Sequence, residues 1–269
     1  MNTTSELTIV IPAKNEAKLI PRLLNSLTRQ DYPPMSSTKV YLCDANSTDG
    51  TPEIARSYAD RLDVTVIPGG IPSVGRNAGA CRARTPFVLF IDADMELADS
   101  TLVRRAVELM KRKKLHCLTT NISCPVGSIW DRALYAGNNL MQRLSRLAKP
   151  FSTGMFMLFD KACFDALGGF NERVLFAEDY LLSQKVARNK FRVLRGRVLT
   201  TNRRFQKMGH LKLVRLFLNT ALHSLNESYY LRDHGYWQSE AQRRRPAPHI
   251  PEQVTLSPAP ARSRQGSTG

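Results

Sequence analysis

Short apolar runs alternate with segments of helical periodicity along the first half of the chain. Four of the runs predict strands: residues 7–12, 39–44, 64–68 and 87–92. The first of them, residues 7–12, is continuously apolar, which is typical of a strand buried on both faces. Apolar positions recur at helical spacing in the four segments that follow these runs: residues 19–27, 51–58, 76–83 and 101–113. This alternation of strand and helix predicts an α/β fold with a parallel, doubly wound sheet.

The pattern is less regular from residue 115 onward. Three further strands are predicted, over residues 118–122, 151–159 and 191–199. Helices are predicted over residues 129–147, 178–189 and 211–231, together with a short helix that Asp160 would cap and Gly168 would end. Residues 241–269 hold five prolines, five arginines and little apolar content, so we predict that this tail is disordered.

Composition excludes several classes of protein. The chain has 269 residues, of which 42% are hydrophobic and 23% charged, so collagen-like, coiled-coil and wholly disordered chains are ruled out. It carries 39 Lys and Arg against 23 Asp and Glu, a formal net charge of +16. A surface this basic attracts polyanions such as nucleic acid, acidic lipid or phosphorylated substrates.

Cysteines and the N-terminus bear on the compartment. The five cysteines include no C-x-x-C pair, which leaves a zinc or redox centre without support and favours buried thiols in a reducing compartment. The start of the chain, MNTTSELTIV, has no basic region before its apolar run, so we expect no signal peptide. No stretch approaches 18 uninterrupted apolar residues, so no membrane span is expected.

Acidic and polar residues follow three of the predicted strands where each strand ends. Asn15 and Glu16 follow the first strand, Asp44 ends the second, and Asp92 and Asp94 follow the fourth. Ligands of an open parallel sheet bind beyond the carboxyl ends of its strands, so these side chains are expected to converge on one crevice. Each acid alone could equally cap a helix, and only their joint placement favours a site.

The sharpest of these signals is the pair Asp92 and Asp94. Residues i and i+2 of an extended chain point the same way, so both carboxylates could approach one Mg²⁺ or Mn²⁺, which prefer oxygen ligands. The alternative is a turn at the end of a strand with solvated acids.

Six motifs, in this order and spacing, resemble those of the family 2 glycosyltransferases over about residues 5–205. They are IPAKNE (11–16), CDANSTDGT (43–51), GRNAG (75–79), FIDADM (90–95), GGF (168–170) and AEDYLL (177–182). The resemblance implies a GT-A fold, a Rossmann-like, mostly parallel sheet flanked by helices, and transfer of a sugar from a nucleotide-sugar donor with inversion in a single displacement.

The resemblance also implies roles on the donor side. Pro12, Glu16 and Asp44 match the positions that hold the nucleotide base, and a carboxylate at Asp44 suits a uracil or guanine N–H, although an Asx turn would explain it too. Lys14 stands where the family usually has an aromatic residue, so the identity of the nucleotide base is not determined. Arg76 matches a base or diphosphate contact, with a surface helix charge as the alternative.

On the diphosphate, the resemblance implies a divalent cation, Mn²⁺ or Mg²⁺, with Asp94 as ligand and Asp92 contacting ribose or metal. Glu96 could add a third oxygen ligand. Arg203 and Arg204 lie where relatives carry a basic or aromatic motif and could reach the phosphates, unless both belong to a general basic face.

On the acceptor side, the resemblance makes Asp179 the candidate general base and places Glu178 beside it. A positioned base contributes roughly 10²–10⁴-fold in rate. An acid at a helix N-terminus is alternatively stabilised by the helix dipole. Gly168 and Gly169 would let the backbone approach the acceptor or sugar closely.

A basic region surrounds the last predicted helix. Residues 185–215 contain eleven Lys and Arg and no Asp or Glu, and residues 211–225 are apolar on much of the helix circumference. A basic amphipathic helix is typical of one that lies on an anionic membrane, and a core helix that closes the domain is the alternative.

We therefore expect a metal-dependent, inverting glycosyltransferase that uses a UDP- or GDP-sugar and a hydroxyl acceptor, either a glycan or a lipid-linked molecule. The expected domain covers residues 1–240, with a nucleotide-sugar half (5–122), an acceptor half (123–205) and a C-terminal helix (206–240). We expect a cytoplasmic protein, with the inner face of a membrane as a candidate partner.

Three other functions fit the sequence less well. A nucleotidyltransferase would need a basic, Gly-rich loop after the first strand, which IPAKNEAKL does not provide. A nucleic-acid-binding protein would fit the charge of +16, but no zinc-finger or RNA-recognition signature is present and aromatics are only 8%, so no nucleic-acid partner is expected. A non-catalytic relative is disfavoured because Asp92, Asp94 and Asp179 are all present.

Overall fold

A computed structural model of the chain describes residues 5–33, 35–223 and 227–232. One mixed sheet crosses the described part of the molecule. Its strands are β1 (Leu7–Ala13), β2 (Lys39–Asp44), β3 (Asp63–Pro68), β4 (Phe87–Ile91), β5 (Glu96–Leu97), β6 (Cys117–Ser123), β7 (Phe156–Asp160) and β8 (Phe191–Leu199). Their order across the sheet is β3-β2-β1-β4-β7-β6-β8-β5.

Helices connect and cover the strands. They are α1 (Ile20–Thr28), α2 (Thr51–Arg56), α3 (Pro72–Arg82), α4 (Leu102–Lys113), α5 (Ile129–Leu144), α6 (Lys161–Ala166), α7 (Glu178–Ser183), α8 (Arg203–Met208), α9 (His210–Leu222) and α10 (Glu227–Tyr230). Within the described ranges, no helix is both long and apolar enough to pass through a bilayer.

The first four strands lie where the sequence predicts them. β1 and β4 are almost wholly buried, whereas β3 lies at the edge of the sheet and buries only Ile67. All five residues of β4 are buried, and the side chains of Leu7, Ile9, Val10 and Ile11 in β1 are fully inaccessible. β3, β2, β1 and β4 run parallel to one another, as the strand–helix alternation requires.

The sheet is mixed, and the parallel arrangement predicted from the first half of the chain holds for β1 to β4. β7 runs antiparallel to both of its neighbours, β4 and β6, and β5 runs antiparallel to β8, whereas β6 and β8 are parallel. The sheet is therefore mostly parallel. An apolar run shows that a strand is buried but carries no information on its direction, which explains the difference.

Several predicted boundaries in the second half were also wrong. The strand predicted over 151–159 begins only at Phe156, and the helix predicted from Glu178 ends at Ser183. The predicted helix over 211–231 is α9 followed by α10, with residues 224–226 outside the described part. The strand β5 and the helix α8 were not predicted. The predicted disordered tail, 241–269, lies outside the described residues, and the division of the domain into halves stays a prediction.

Close packing of α3 on the sheet brings Arg76 to the sheet edge. A Cβ on Gly79 would lie 2.4 Å from Cγ1 of Val10 in β1 and 3.1 Å from Sγ of Cys43 in β2. Only glycine allows this approach, because the space that a side chain needs is filled by the sheet. The start of α3 at Pro72, earlier than predicted, follows from the fixed φ of proline in the first turn.

Candidate active site

The carboxyl ends of β1, β2 and β4 form one edge of the sheet. Asp44 is the last residue of β2, and Asp92 follows β4 directly. The antiparallel β7 begins at this edge, which brings the preceding Gly154 there as well, and the segment after β8 returns Arg203 to the same place. The edge therefore collects residues from distant parts of the sequence, as the strand-end acids predicted.

Arg76 is the central side chain of this edge. Its Nη1 donates to Oε1 of Glu178 at 2.5 Å, and its Nη2 donates to Oδ1 of Asp92 at 2.7 Å. The side chain is only 3% exposed, and its guanidinium lies over the ring of Phe170 with Cζ 5.3 Å from the ring centroid. Arg76 is thus a buried bridge between two acids, and the alternative of a surface helix charge is wrong.

The charges of this cluster depend on one another. Burial acts to lower the pKa of Arg76, but the carboxylates of Asp92 and Glu178 more than offset it and raise the pKa above its usual value. For Glu178, burial raises the pKa, and the neighbouring Arg76 opposes that rise. The guanidinium therefore permits a carboxylate to stay buried beside it.

Asp179, the candidate base, is held by the backbone. Its Oδ2 accepts from the amide of Gly154 at 2.5 Å and its Oδ1 from the amide of Tyr180 at 2.7 Å. Burial raises its pKa, while Arg76 and the two amides act in the opposite direction. The residue before this acid pair, Ala177, has a φ of +57°, a strained conformation for alanine that sets the entry into α7.

A second cluster contains Asp94. Arg203 donates from both terminal nitrogens to Glu16, at 2.9 and 2.6 Å, and its Nη2 lies 3.4 Å from Oδ2 of Asp94. Burial and the charge of Asp92 raise the pKa of Asp94 to about 6, although Arg203 and Arg204 act to lower it. The predicted donor-side residues Glu16, Arg203 and Asp94 are therefore brought together, and the bidentate pair between the first two was not foreseen.

Asp44 presents an unmatched acceptor. Its Oδ2 accepts from the backbone amide of Ser47 at 3.0 Å, which is the predicted Asx turn. Its Oδ1 is buried and has no hydrogen-bond partner among the described residues. A buried carboxylate oxygen without a donor is costly, which fits a ligand N–H at this point. The predicted base contact Pro12 lies in β1 beside β2, under the start of α3.

The structure adds Asn77 and Gly154 to the candidate site. Asn77 donates to the carbonyl of Phe170 at 2.8 Å and accepts from its amide at 3.0 Å, so it holds the ring that packs against Arg76. A Cβ on Gly154 would lie within 2.2 Å of Nη2 of Arg76. The motif GRNAG contained a signal for Asn77, but no local pattern marks Gly154, because its neighbours come from α3 and α7.

Gly168 and Gly169 have φ values of +84° and +67°, which turn the chain from α6 towards Phe170. The positive φ values of the two glycines therefore form the turn after α6. Their predicted contact with an acceptor stays a prediction.

Glu96, suggested as a third oxygen ligand for the cation, has other partners. Glu96 accepts from Arg22 at 2.8 Å and lies 3.8 Å from Arg29, so it is engaged with α1 and does not join Asp94. No group of three or more Cys, His, Asp or Glu residues that could hold a metal occurs within the described ranges. Asp92 and Asp94 still fit a divalent cation completed by phosphate oxygens. Burial and the charge of Asp92 raise the pKa of Asp94, and a cation beside the two carboxylates would favour the ionised form of Asp94.

Comparison with known proteins places this geometry in a family. The family described as "Glycosyl transferase family 2" matches residues 8–168, more than half of the chain. The poly(ribitol-phosphate) β-N-acetylglucosaminyltransferase TarS of Staphylococcus aureus is 36% identical over 98 residues, 35% of this chain and 17% of TarS. The 4,4'-diaponeurosporenoate glycosyltransferase of Staphylococcus haemolyticus is 26% identical over 187 residues, 68% of this chain and 47% of that protein. The matches thus span less than half of these relatives.

Solved structures show the same fold. TarS in complex with UDP superposes with a TM-score of 0.59 at 23% identity, covering 73% of this chain and 60% of that one. The mannosyltransferase PcManGT of Pyrobaculum calidifontis, in complex with GDP-Man and Mn²⁺, superposes with a TM-score of 0.60 at 22% identity, covering 86% of this chain and 73% of that one. With the sheet, the edge of acids and the six motifs in place, the chain belongs to glycosyltransferase family 2.

Proposed function

We propose that the protein transfers a glycosyl group from a nucleoside-diphosphate sugar to a hydroxyl acceptor, with inversion at the anomeric carbon and Asp179 as general base. One observation carries the proposal. Arg76 joins Asp92, on the donor side, to Glu178, which is the chain neighbour of Asp179. The guanidinium of Arg76 would thereby hold the general base at a fixed separation from the residues that bind the diphosphate. A displacement reaction requires such a fixed separation.

Asp44 supports a nucleotide with a ring N–H. Its unpartnered Oδ1 can accept from N3–H of uracil or N1–H of guanine, because an ionised carboxylate only accepts hydrogen bonds. TarS was solved with UDP and PcManGT with GDP-Man, so both bases occur among proteins of this fold. We propose a UDP- or GDP-sugar as donor.

The reaction would proceed in one displacement. Asp179 accepts the proton of the acceptor hydroxyl while that oxygen forms a bond to the anomeric carbon, and the bond from this carbon to the diphosphate oxygen breaks. The amides of Gly154 and Tyr180 orient the carboxylate without using a side chain. Burial raises the pKa of Asp179, which strengthens it as a base.

The leaving nucleoside diphosphate gains negative charge as the bond breaks. Arg203 lies beside Asp94 and can stabilise that charge directly. Asp92 and Asp94 would hold a divalent cation, which when bound supplies Lewis-acid stabilisation of the diphosphate. Mn²⁺ with GDP-Man in PcManGT supports this assignment.

Thermal unfolding with UDP or GDP, with and without Mn²⁺, tests the donor site. We expect one nucleotide together with Mn²⁺ to raise Tm more than either ligand alone. Asp94→Asn should lose the part that depends on Mn²⁺, whereas Glu96→Gln, two residues away and engaged with Arg22, should keep it. If neither nucleotide raises Tm with or without metal, the proposal is wrong.

A second measurement tests the chemistry. The purified protein is incubated with UDP- or GDP-sugars, and release of the nucleoside diphosphate is followed with water or added alcohols as acceptors. Turnover should require Asp179, and the anomeric configuration of the product should be opposite to that of the donor. Retained configuration would exclude the single displacement.

A further inference from the structure

The helix α5 has its polar side inward and its apolar side outward. Asp131 and Gln142 are 2% and 0% exposed, and Tyr135 is buried between them. On the outer side, five large apolar side chains are each 53–70% exposed: Ile129, Trp130, Leu140, Met141 and Leu144. A helix on the surface of a soluble protein shows the reverse arrangement.

This orientation is fixed by hydrogen bonds of the inner face. The side chain of Asn139 donates to the carbonyl of Ile122 at 2.8 Å and accepts from its amide at 2.9 Å. Asp131 accepts from the amide of Ser128 at 2.7 Å, as part of the capping box that starts the helix. The helix cannot turn its apolar side inward without breaking these contacts.

A second exposed apolar stripe lies on α9. Leu211, Phe217, Leu218 and Leu222 are 47–85% exposed, while Leu213 and Leu216 pack inward. The starts of the two helices are joined, since Nε2 of His210 lies 2.6 Å from Oδ1 of Asp131. We call the two stripes together the α5–α9 face. Nine large apolar side chains that are each 47–85% exposed are unusual for a surface that only water contacts.

The exposed charged side chains of α5 and α9 are all basic. The sequence contains no Asp or Glu between Asp131 and Asp160, nor between Asp179 and Glu227. Exposed basic residues accompany both stripes: Arg132, Arg143, Arg146, Lys149, Lys212 and Arg215.

We propose that the α5–α9 face docks the protein on the surface of an anionic lipid bilayer. Exposed leucines and a tryptophan can enter the interface while the arginines and lysines contact acidic headgroups. A second copy of the chain is a poorer occupant, because a symmetric dimer would place these basic side chains against themselves. The proposal extends the interpretation of the last helix to α5, and it does not depend on the proposed function.

Vesicle binding by the full chain tests the proposal. Vesicles of phosphatidylcholine alone are compared with vesicles that also contain phosphatidylglycerol, at physiological salt, and the bound fraction is measured by flotation. We expect binding to the anionic vesicles only. Leu140→Glu/Leu144→Glu should weaken the binding by more than about tenfold, because two leucines that would enter the bilayer interface are lost. The matched control Ala162→Glu/Ala166→Glu, with the same added charge on exposed positions of α6, should bind as the wild type does.

Trp130 provides a direct reading of the contact. The chain has two tryptophans, so Trp237→Phe leaves Trp130 as the only one. We expect a blue shift of its emission on anionic vesicles and quenching by brominated lipid. Thermal unfolding of the Leu140→Glu/Leu144→Glu variant, compared with that of the wild type, separates loss of docking from misfolding.

Three results would overturn the proposal. The first is absence of binding by the full chain to anionic vesicles, as expected if another segment of the chain covers the face. The second is equal binding by the Leu140→Glu/Leu144→Glu variant, provided that it is folded. The third is a stable dimer of the wild type that the same substitutions dissociate, with no change of Trp130 emission on lipid.

Discussion

Arg76 and Glu178 stand 102 positions apart in the chain and form a buried ion pair at the edge of the sheet. The guanidinium also binds Asp92, so one side chain of α3 connects the end of β4 to the start of α7. This contact positions the acid pair of α7, because Glu178 and Asp179 are consecutive. The position of the candidate base therefore depends on a residue of α3, far away in the chain.

Removing the guanidinium of Arg76 should destabilise the fold. Arg76→Met leaves Glu178 buried without a partner, and we expect a loss of about 3–5 kcal/mol in the free energy of unfolding, measured by urea denaturation. Arg76→Met/Glu178→Gln should recover part of this loss, because the uncompensated charge is removed. A double variant no more stable than the single one would show that the pair is not the cause.

Loss of the carboxylate of Asp179 should affect the reaction and leave donor binding intact. Asp179→Asn retains a carbonyl oxygen for one of the two backbone amides but cannot take up a proton at neutral pH, so kcat should fall by roughly 10²–10⁴-fold. Binding of the nucleoside diphosphate, measured by calorimetry, should change little. Asp165→Asn, at an exposed acid of α6, serves as the control. Turnover equal to that of the wild type would remove Asp179 from its assigned role.

The pH dependence of kcat should show that the pKa of Asp179 is raised by burial. Asp179 must be ionised to accept a proton, and burial raises its pKa. The rate should therefore fall as the pH decreases through a value above the ordinary aspartate pKa of about 3.9. The profile is measured at saturating donor. A rate that stays constant down to that ordinary value would contradict the raised pKa.

The contact of α3 with the sheet should tolerate no added methyl group. In Gly79→Ala the new Cβ would lie 2.4 Å from the side chain of Val10, so we expect destabilisation by about 1–3 kcal/mol. Gly137 of α5 is a matched control, since a Cβ there would meet nothing within 4 Å. Gly137→Ala should stabilise the protein by about 0.5–1 kcal/mol, because alanine loses less entropy in a helix. Equal effects of the two substitutions would refute the close approach.

The sequence alone predicted β1 to β4, α1 and α4 closely, since each has an apolar pattern that its burial explains. It also predicted that Asp44, Asp92 and Asp94 lie at one edge of the sheet. It overestimated the length of α7, because residues 184–189 have a helical pattern that the turn into β8 interrupts. It suggested Glu96 as a third metal ligand, because spacing along a strand does not show the two arginines that approach Glu96 from α1 and its end.

Local pattern determined the strands, the helix starts and the strand-end acids of this protein, because burial, capping and turn formation act over a few residues. The direction of β7, the bridge from Asp92 through Arg76 to Glu178 and the outward apolar side of α5 were decided by the tertiary structure. Each depends on a contact between segments far apart in the chain, and hydrophobic periodicity reports how much of a residue is buried but not which residue buries it.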